Sequence, residues 1–256
     1  MARRDDNLQA RLDRDLAELK LSEIAKSYRE VLDEAARKGS SFLEVLAILI
    51  GLEQAAREQR ALERRLRKAR LPKPKSLADY DFQFPKRIPK AAILRWFDCD
   101  FIEQHGCAVL IGPTGTGKSH LLTALGYTAV ERGHSVCHTR VVDMINHLTA
   151  AQFNGLLGKT LRTYVRPSLL LLDELGYLPI DKHGADLLFQ VVAARYELGS
   201  IVITTNRPFR EWGQLFDVDN TLATALIDRL MHHGEGIVIQ GDSYRMRDKG
   251  PDSTDE

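Results

Sequence analysis

The stretch that decides the fold is Ala108-Val-Leu-Ile-Gly-Pro-Thr-Gly-Thr-Gly-Lys-Ser119, in which a short apolar run leads directly into the pattern Gly-x-x-x-x-Gly-Lys-Ser. An apolar helical pattern follows, so the sequence predicts a strand, a tight loop and a helix in that order. Glycines at 112, 115 and 117 let the loop backbone wrap a phosphate with its N–H groups turned inward, and the helix N-terminus adds its positive dipole. This combination predicts a nucleoside triphosphate site.

The predicted phosphate-binding residues run without a break through the loop into the helix. Lys118 is expected to reach the β- and γ-phosphates, and the hydroxyl of Ser119 is expected to be a ligand of Mg²⁺. The predicted nucleotide-binding set is Gly112, Pro113, Thr114, Gly115, Thr116, Gly117, Lys118, Ser119 and His120.

Two adjacent acids follow a second apolar run, Leu169–Leu172. At the tip of a strand, Asp173 is expected to hold Mg²⁺ through water, and Glu174 to orient and deprotonate an attacking water molecule. The simpler alternative is a buried strand with an acidic exit. Transfer of a phosphoryl group to water needs a base, whereas binding alone does not, so this pair favours hydrolysis of the nucleotide.

Two polar residues further along the chain are candidates for the same reaction. Asn206 follows a third apolar run and is expected to hydrogen-bond the γ-phosphate or the lytic water, although a turn before Pro208 would also favour asparagine. Arg229 ends an apolar helical pattern and is expected to reach the γ-phosphate bound by a neighbouring subunit. The alternative for Arg229 is a cation that complements the helix dipole.

Strands and helices alternate through the part of the chain that holds these motifs, which predicts a parallel sheet covered by helices on both faces. The predicted strands are 107–111, 135–139, 168–172, 200–205 and 236–240. The predicted helices are 90–105, 118–132, 141–151, 156–164, 182–198 and 221–231.

The N-terminal part has helical spacing of apolar residues throughout, with a capping box at Ser41 and Glu44 that predicts the start of a long third helix. The predicted organisation is a small all-helical domain at 1–70, a linker at 71–89 that packs onto the next domain, an α/β domain at 90–250 and a disordered tail at 251–256.

Charge is distributed unevenly along this chain of net charge +1, because residues 57–75 contain nine basic and two acidic side chains. On a helix at 57–70 the cations form one arc, which predicts sequence-independent binding to the phosphates of a nucleic acid. A solvated helix face and an acidic protein partner are the alternatives. The residues of the arc are Arg57, Arg60, Arg64, Arg67 and Lys68.

Composition restricts the environment of the protein. The apolar runs are too short to cross a bilayer, and no secretory signal is visible at the N-terminus. The chain has three cysteines, Cys99, Cys107 and Cys137, and an odd number without metal-ligand spacing predicts free thiols and a cytoplasmic location. The metal that we expect is the Mg²⁺ of the predicted nucleotide site.

The order of these motifs resembles that of the AAA+ ATPases. The stretches Thr114-Gly-Thr-Gly-Lys-Ser-His-Leu121, Asp173-Glu-Leu-Gly-Tyr177 and Asp242-Ser-Tyr-Arg-Met-Arg247 resemble the IstB branch, whose members are ATPase helpers of transposition related in architecture to the helicase loader DnaC. The resemblance implies a P-loop AAA+ core behind a helical N-terminal domain. Only sixteen residues follow the last predicted strand, so we expect no C-terminal helical lid. Arg245 or Arg247 is a candidate to replace the arginine of that lid; the alternative is that either binds a partner or the edge of the sheet.

The resemblance also implies the activity. It implies that ATP is the nucleotide, that the protein assembles on duplex DNA as an ATP-dependent homo-oligomer, and that it recruits and stimulates a partner transposase of the IstA type. Carried over to this chain, Gly112–Ser119 binds the nucleotide, Asp173 and Glu174 serve metal and water, and Arg229 acts between subunits.

Three other functions remain open at this stage. A DnaC-like helicase loader would use the same motor residues, and only the partner held by residues 1–70 separates it from a transposition helper. A small-molecule phosphotransferase would use the same loop but would need neither Glu174 nor the basic helix. A pure nucleotide-binding module is the third alternative, if Glu174 does not catalyse.

Overall fold

The computed structural model describes residues 2–216 and 220–247, and their contacts divide the chain into two compact units, Met1–Arg64 and Arg65–Glu256. This division lies within the third helix, whereas the sequence suggested residue 70. The proposed tail at 251–256 lies outside the described residues. Among the described helices none is both long and apolar enough to cross a membrane.

The first unit is helical, as the sequence pattern indicated. Its helices are α1 (Ala2–Glu18), α2 (Ser22–Lys38) and α3 (Phe42–Ala69), and α3 continues into the second unit. The capping box is present, because the Glu44 amide donates to Ser41 Oγ at 3.3 Å and the Ser41 amide donates to Glu44 Oε2 at 2.7 Å. This reciprocal pair satisfies amides at the start of α3 that have no partner within the helix.

A buried carboxylate joins α2 to α3 within this unit. Glu53 is 4% exposed, and its Oε2 accepts the amide of Glu23 at 2.7 Å, at the N-terminus of α2. Its Oε1 accepts from Arg57 Nε at 3.0 Å and from Arg60 Nη2 at 3.1 Å. Because an unpaired buried charge is costly, the two guanidinium groups have a structural role in holding Glu53.

A five-stranded parallel sheet organises the second unit, in the order β2-β3-β4-β1-β5. This confirms the predicted fold class. Each strand lies within a few residues of its predicted position, and the largest difference is β3, which extends three residues further. The strands are β1 (Cys107–Ile111), β2 (Val136–Arg140), β3 (Leu169–Leu175), β4 (Ser200–Thr205) and β5 (Gly234–Val238).

Helices cover the sheet. The single helix expected at 90–105 is divided in two, because Cys99 adopts φ 62° and ends the first helical run. The helices of this unit are α4 (Lys90–Phe97), α5 (Asp100–Glu103), α6 (Lys118–Glu131), α7 (Val141–Phe153), α8 (Leu157–Val165), α9 (Lys182–Arg195), α10 (Trp212–Leu215) and α11 (Asn220–His232).

The strand β3 shows why both faces of the sheet must be covered. Leu169–Leu172 are all completely buried, and their side chains alternate between the two faces. Leu170 and Leu172 belong to the apolar cluster that includes α7, α9 and α11. Leu171 faces α6, where a Cβ on Gly126 would come within 2.8 Å of its Cδ1. This sandwich fixes the direction in which every strand tip projects.

A buried arginine holds together the segments that enter β3 and β4. Arg195 is 1% exposed, and its Nη1 donates to the carbonyls of Tyr164, Val165 and Pro167 at 2.8–2.9 Å. Its Nη2 donates to Ser168 O at 3.1 Å and Ser200 O at 2.7 Å. Burial lowers the pKa of Arg195 to about 10, so the guanidinium still has its charge at neutral pH.

We expect Arg195→Met to destabilise the second unit by at least about 3 kcal/mol, because buried carbonyls lose their donors and each such loss costs about 1–3 kcal/mol. The free energy of unfolding in urea measures this. Arg210→Met is the matched control, since the Arg210 side chain is 84% exposed and its loss should change stability by less than about 0.5 kcal/mol. Equal stability of the two variants would contradict the structural role of Arg195.

Candidate active site

The phosphate loop lies between β1 and α6, as the sequence predicts, and every glycine in it is required by its surroundings. A side chain at Gly112 would collide with the carbonyl of Ile239, just beyond β5. Gly115 and Gly117 have φ of 86° and 85°, in the left-handed region that L side chains avoid. A Cβ on Gly117 would also lie 2.5 Å from Cε2 of Tyr80. The loop is therefore enclosed by backbone and ring atoms on several sides.

Lys118 lies folded into this loop. Its Nζ donates to the carbonyls of Gly112 and Pro113, each at 2.7 Å, and the residue is 4% exposed. The Thr116 hydroxyl donates to Pro113 O at 2.9 Å and keeps the turn closed. The ammonium group is thus held inside the loop whose amides would surround a phosphate.

The two predicted Mg²⁺ residues are in direct contact although 54 positions separate them. Ser119 Oγ donates to Asp173 Oδ1 at 3.0 Å, across the gap between α6 and the end of β3. The same oxygen accepts the hydroxyl of Thr204 and, at 3.1 Å, the amide of Glu174. A hydroxyl and a carboxylate beside a phosphate loop are oxygen donors of the kind Mg²⁺ takes together with phosphate oxygens. These residues fit the ion.

Glu174 has an unusual backbone conformation. Its φ is 64°, and the β3–β4 register shifts between Leu172 and Leu175. Its amide also donates to Thr204 Oγ1 at 3.0 Å. A non-glycine residue in the left-handed region persists only where its neighbours impose it, and such residues concentrate at functional sites. The register shift marks a β-bulge at the end of β3, and the Glu174 side chain there lines the cavity beside the loop.

Thr204 is a site residue that sequence reasoning missed. It lies on β4 in register with Leu110 of β1, and its hydroxyl joins Asp173 to the amide of Glu174. A threonine in an apolar strand is explained by β-propensity alone, so nothing in the local pattern singled it out. The one available signal was its position two residues before Asn206.

A cavity of about 540 Å³, a size suited to a nucleotide, is lined by residues 114–120 of the predicted set together with Asp173 and Glu174, whereas Gly112 and Pro113 do not line it. Its outer wall comes from the segment before α4. Tyr80 donates its hydroxyl to Thr116 O at 2.9 Å, and burial raises the pKa of Tyr80 to about 12. His120, predicted to bind the nucleotide, lines the cavity but also hydrogen-bonds Ser76 O through Nε2 at 2.8 Å.

The chain after β5 completes this wall. The Tyr244 amide donates to Gly115 O at 3.0 Å, and its ring packs edge-on against Phe84 at 4.9 Å. Arg247 donates to Asp81 Oδ2 at 3.2 Å, and Asp81 lines the same cavity as the phosphate loop. Between β5 and Arg247 the helical structure is the single 3-10 turn Tyr244–Met246. The side chain of Arg245 lies outside the described residues.

Asn206 and Arg229 differ in where they lie. Asn206 follows Thr205, whose carbonyl accepts the amide of Gly112 at 3.1 Å, so Asn206 adjoins the phosphate loop. Asn206 lies just beyond β4, and its Oδ1 is buried without a hydrogen-bond partner in the described part of the chain. Arg229 is half-buried near the end of α11, donates to Ala225 O at 3.1 Å, and lies 4.7 Å over the ring of Phe189. Neither side chain lines the cavity.

Two of the five residues predicted to bind DNA already have a carboxylate partner, although all five lie on α3. Arg57 and Arg60 are bonded to Glu53 in the helical unit. Arg64 is exposed at the end of that unit, whereas Arg67 and Lys68 belong to the second unit. A periodicity read over 57–70 could not show which of these guanidinium groups already had a partner.

We expect Gly115→Ala to weaken ATP binding at least tenfold, because a Cβ at a φ of 86° would also meet the Cα of Ser243 at 2.9 Å. Fluorescence titration with a labelled ATP analogue gives the Kd. Gly155→Ala is the control, since Gly155 has a φ of 67° but a Cβ there meets nothing within 4 Å. If both variants bind ATP like the wild type, the crowding around Gly115 has no role in nucleotide binding.

Comparison with known proteins places these features in a family. Residues 14–251 match the family described as IstB-like ATP binding protein. Over 234 residues the chain is 37% identical to a Pseudomonas aeruginosa protein described as an ATP-binding protein of insertion sequence IS21, covering 91% of this chain and 88% of that one.

Solved structures share the fold of the second unit. AMPPCP-bound DnaA from Aquifex aeolicus superposes with a TM-score of 0.57 at 21% identity, covering 69% of this chain and 54% of that one. The DnaC helicase loader superposes with a TM-score of 0.50 at 24% identity, covering 64% of this chain and 97% of that one. The match over residues 14–251, together with the phosphate loop, shows that this chain belongs to the IstB-like ATP-binding family, and its core shares the fold of the DnaA and DnaC structures.

Proposed function

We propose that this protein is an Mg²⁺-dependent ATPase that assembles on duplex DNA and recruits a partner transposase. The proposed ATPase activity is supported by the contact of Ser119 with Asp173 and by the position of Glu174 in the lining of the same cavity. A phosphate loop alone serves kinases and binding modules equally well. A base next to the metal-holding carboxylate is what transfer to water requires.

Each residue of the cavity has a distinct task in this proposal. Lys118 exchanges its two loop carbonyls for phosphate oxygens when ATP enters, and the loop amides hold the remaining charge. Ser119 and, through water, Asp173 would hold Mg²⁺, which would supply positive charge next to the β- and γ-phosphates. Glu174 accepts a proton from the attacking water. Thr204 keeps the Glu174 backbone in place through its hydrogen bond to the amide.

Asn206 has the right character to contact the attacking water or the γ-phosphate. Its Oδ1 is buried and has no hydrogen-bond partner in the described part of the chain, and an orphaned acceptor of this kind is costly. A water molecule between Asn206 and the γ-phosphate would donate to that oxygen.

Arg229 is proposed to act on the nucleotide of a neighbouring subunit. Its side chain lies near Cys107 and Ile201, at the amino ends of β1 and β4, and therefore away from the nucleotide site of its own chain at the carboxyl ends of the strands. Its contacts are a carbonyl of its own helix and an aromatic face, both of which a phosphate can replace. The complete site then contains residues from two copies, which makes hydrolysis depend on homo-oligomer formation.

A protein partner is supported by the helical unit. The side chains of Phe42 and Leu43 are 95% and 76% exposed, and Leu8 is 65% exposed. Apolar side chains in such numbers on a small unit indicate an interaction surface. Since the Pseudomonas aeruginosa relative belongs to an insertion sequence, the partner we propose is the transposase of the same element, an IstA-like protein. The three free cysteines suit the cytoplasm.

A helicase loader is the second candidate, favoured by the structural likeness to the DnaC helicase loader. Sedimentation with a non-hydrolysable ATP analogue separates the two functions. Large assemblies on duplex DNA support the transposition helper, whereas assembly only on single strands or with a helicase supports the loader.

We expect Glu174→Gln to lower kcat at least about 100-fold with little change in ATP affinity, because the amide cannot accept the proton of the water. Release of phosphate and titration with the labelled ATP analogue measure the two quantities. The variant should also remain on duplex DNA longer than the wild type. Glu103→Gln, at an exposed residue of α5, is the control and should hydrolyse normally. Normal hydrolysis by Glu174→Gln would remove Glu174 from the mechanism.

We expect Arg229→Ala to bind ATP normally but to lose at least about 1000-fold in hydrolysis, as known arginine fingers do. Lys118→Ala subunits should also be inactive, for want of nucleotide binding. Mixing the two variants should restore part of the activity, because a Lys118→Ala subunit supplies Arg229 to a neighbour that holds ATP. Mixtures as inactive as the separate variants would contradict a role between subunits.

A further inference from the structure

A second cleft, of about 560 Å³, lies at the amino ends of β2 and β3, at the opposite end of the strands from the phosphate loop. It is bordered by the end of α3, by the start of β2 and by the end of α8, all within the Arg65–Glu256 unit. We call it the basic groove, and its six cations are Arg65, Arg67, Lys68, Arg70, Arg162 and Arg166.

The cations of the basic groove come from two separate segments. Arg67 and Lys68 lie in the last turn of α3, and Arg162 and Arg166 are four residues apart at the end of α8. All four are exposed. No acidic residue lines the groove, and among the described ion pairs none joins these four side chains to a carboxylate. Their charges are therefore not neutralised within the described part of the chain.

Stabilisation of helix ends does not account for this arrangement. A cation in the last turn of a helix complements the dipole of that helix, and this applies to α3 and α8 separately. It gives no reason for the cations of both helices to share one cleft, where like charges repel each other. A ligand with several negative charges would attract all of these cations and neutralise the repulsion between them.

Arg65 and Arg70 fix the shape of the groove. Arg65 Nε donates to Val130 O at 3.2 Å, which ties the end of α3 to α6. Arg70 has a φ of 55°, and its guanidinium lies close enough to the buried Tyr164 of α8 to offset part of the rise in the pKa of Tyr164 that burial causes; the Tyr164 hydroxyl lies 2.7 Å from Nδ1 of His147. The chain therefore leaves α3 in a conformation that non-glycine residues seldom adopt, and in it the guanidinium of Arg70 reaches α8.

The lining favours a phosphate backbone over other anions. Five of the six cations are arginines, whose planar fork binds phosphate oxygens in pairs. No aromatic side chain lines the groove, whereas binding of single strands relies on stacking of bases on aromatic rings. Apart from Pro167, its apolar lining residues, Val136 and Cys137, are buried, so an acidic peptide would find little surface for an apolar anchor.

We propose that the basic groove binds the sugar-phosphate backbone of duplex DNA. This inference rests on the proposed function above, in which duplex DNA is a partner, and it assigns the contact to α3 and α8 of the ATPase unit instead of the arc that included Arg57 and Arg60. The groove lies at the amino ends of β2 and β3, so DNA and ATP occupy opposite edges of the sheet.

The test compares full-length proteins with and without the groove charges. In the groove variant, Arg67, Lys68, Arg162 and Arg166 are replaced by Gln. We expect its affinity for a duplex of mixed sequence to fall at least tenfold at about 100 mM salt, and the slope of log K against log salt to fall by about three to four, since each lost phosphate contact removes about 0.9. Fluorescence anisotropy over a salt series with the non-hydrolysable ATP analogue measures both.

A control variant removes the same number of charges elsewhere, with Lys26, Arg37, Lys182 and Arg210 replaced by Gln, all exposed and outside the groove. It should bind DNA like the wild type. The double variant Arg162→Gln and Arg166→Gln, confined to α8, should lose about half of the change in slope, and the matching double change to Lys should restore it. Urea midpoints equal to that of the wild type establish that each variant is folded.

Three results would overturn the proposal, and they are distinguishable. If the wild type binds duplex DNA and the groove variant binds it equally well, the groove assignment is wrong while the proposed function stands. If the wild type does not bind duplex DNA, both are wrong. If the groove variant keeps DNA binding but loses binding to polyglutamate, or if single strands bind the groove more tightly than duplexes, its ligand is a different polyanion.

Discussion

The carboxylate of Asp173 is the point on which the catalytic part of this structure depends. One of its oxygens accepts the hydroxyl of Ser119, the hydroxyl of Thr204 and the amide of Glu174, so it joins α6, β4 and the bulge at the end of β3. Such a meeting point is available only because parallel strands direct their carboxyl ends to one edge of the sheet. With Asp173 fixed there, the amide of Glu174 has a hydrogen-bond acceptor in its left-handed backbone conformation. The Glu174 side chain then lines the cavity beside the phosphate loop.

The opposite edge of the sheet is organised by positive charge. Arg195 is buried and bonded to five carbonyls, whereas the cations of the basic groove are exposed and lack carboxylate partners in the described ion pairs. The buried Arg195 therefore has a structural role, whereas the exposed cations of the basic groove have the character of a binding surface. A buried guanidinium must satisfy its donors internally, while an exposed cluster without acids retains its full attraction for a polyanion. Our proposals therefore place ATP and Mg²⁺ at the carboxyl ends of the strands and duplex DNA at their amino ends.

The fold and the core of the site could be predicted from the sequence because both rest on local patterns. The loop from Gly112 to Ser119 and the acids after β3 have fixed spacing and fixed strand context, and the structure places them together. What could not be predicted depends on contacts distant in sequence. The contact of Tyr80 with Thr116, the role of Thr204 and the engagement of Arg57 with Glu53 each join residues or segments that no periodicity connects. The break at Cys99 was missed for a related reason, since a left-handed cysteine has no sequence signature.

The hydrogen bond from Tyr80 to the phosphate loop bears on how ATP binding and DNA binding affect each other. Only residues 71–79 separate Tyr80, which is bonded to the phosphate loop, from Arg70, the groove cation that directly follows α3. If DNA binds the groove as proposed, a displacement of this short segment by either ligand would act on the binding site of the other. Coupling of this kind is reciprocal: the factor by which DNA changes the affinity for ATP equals the factor by which ATP changes the affinity for DNA.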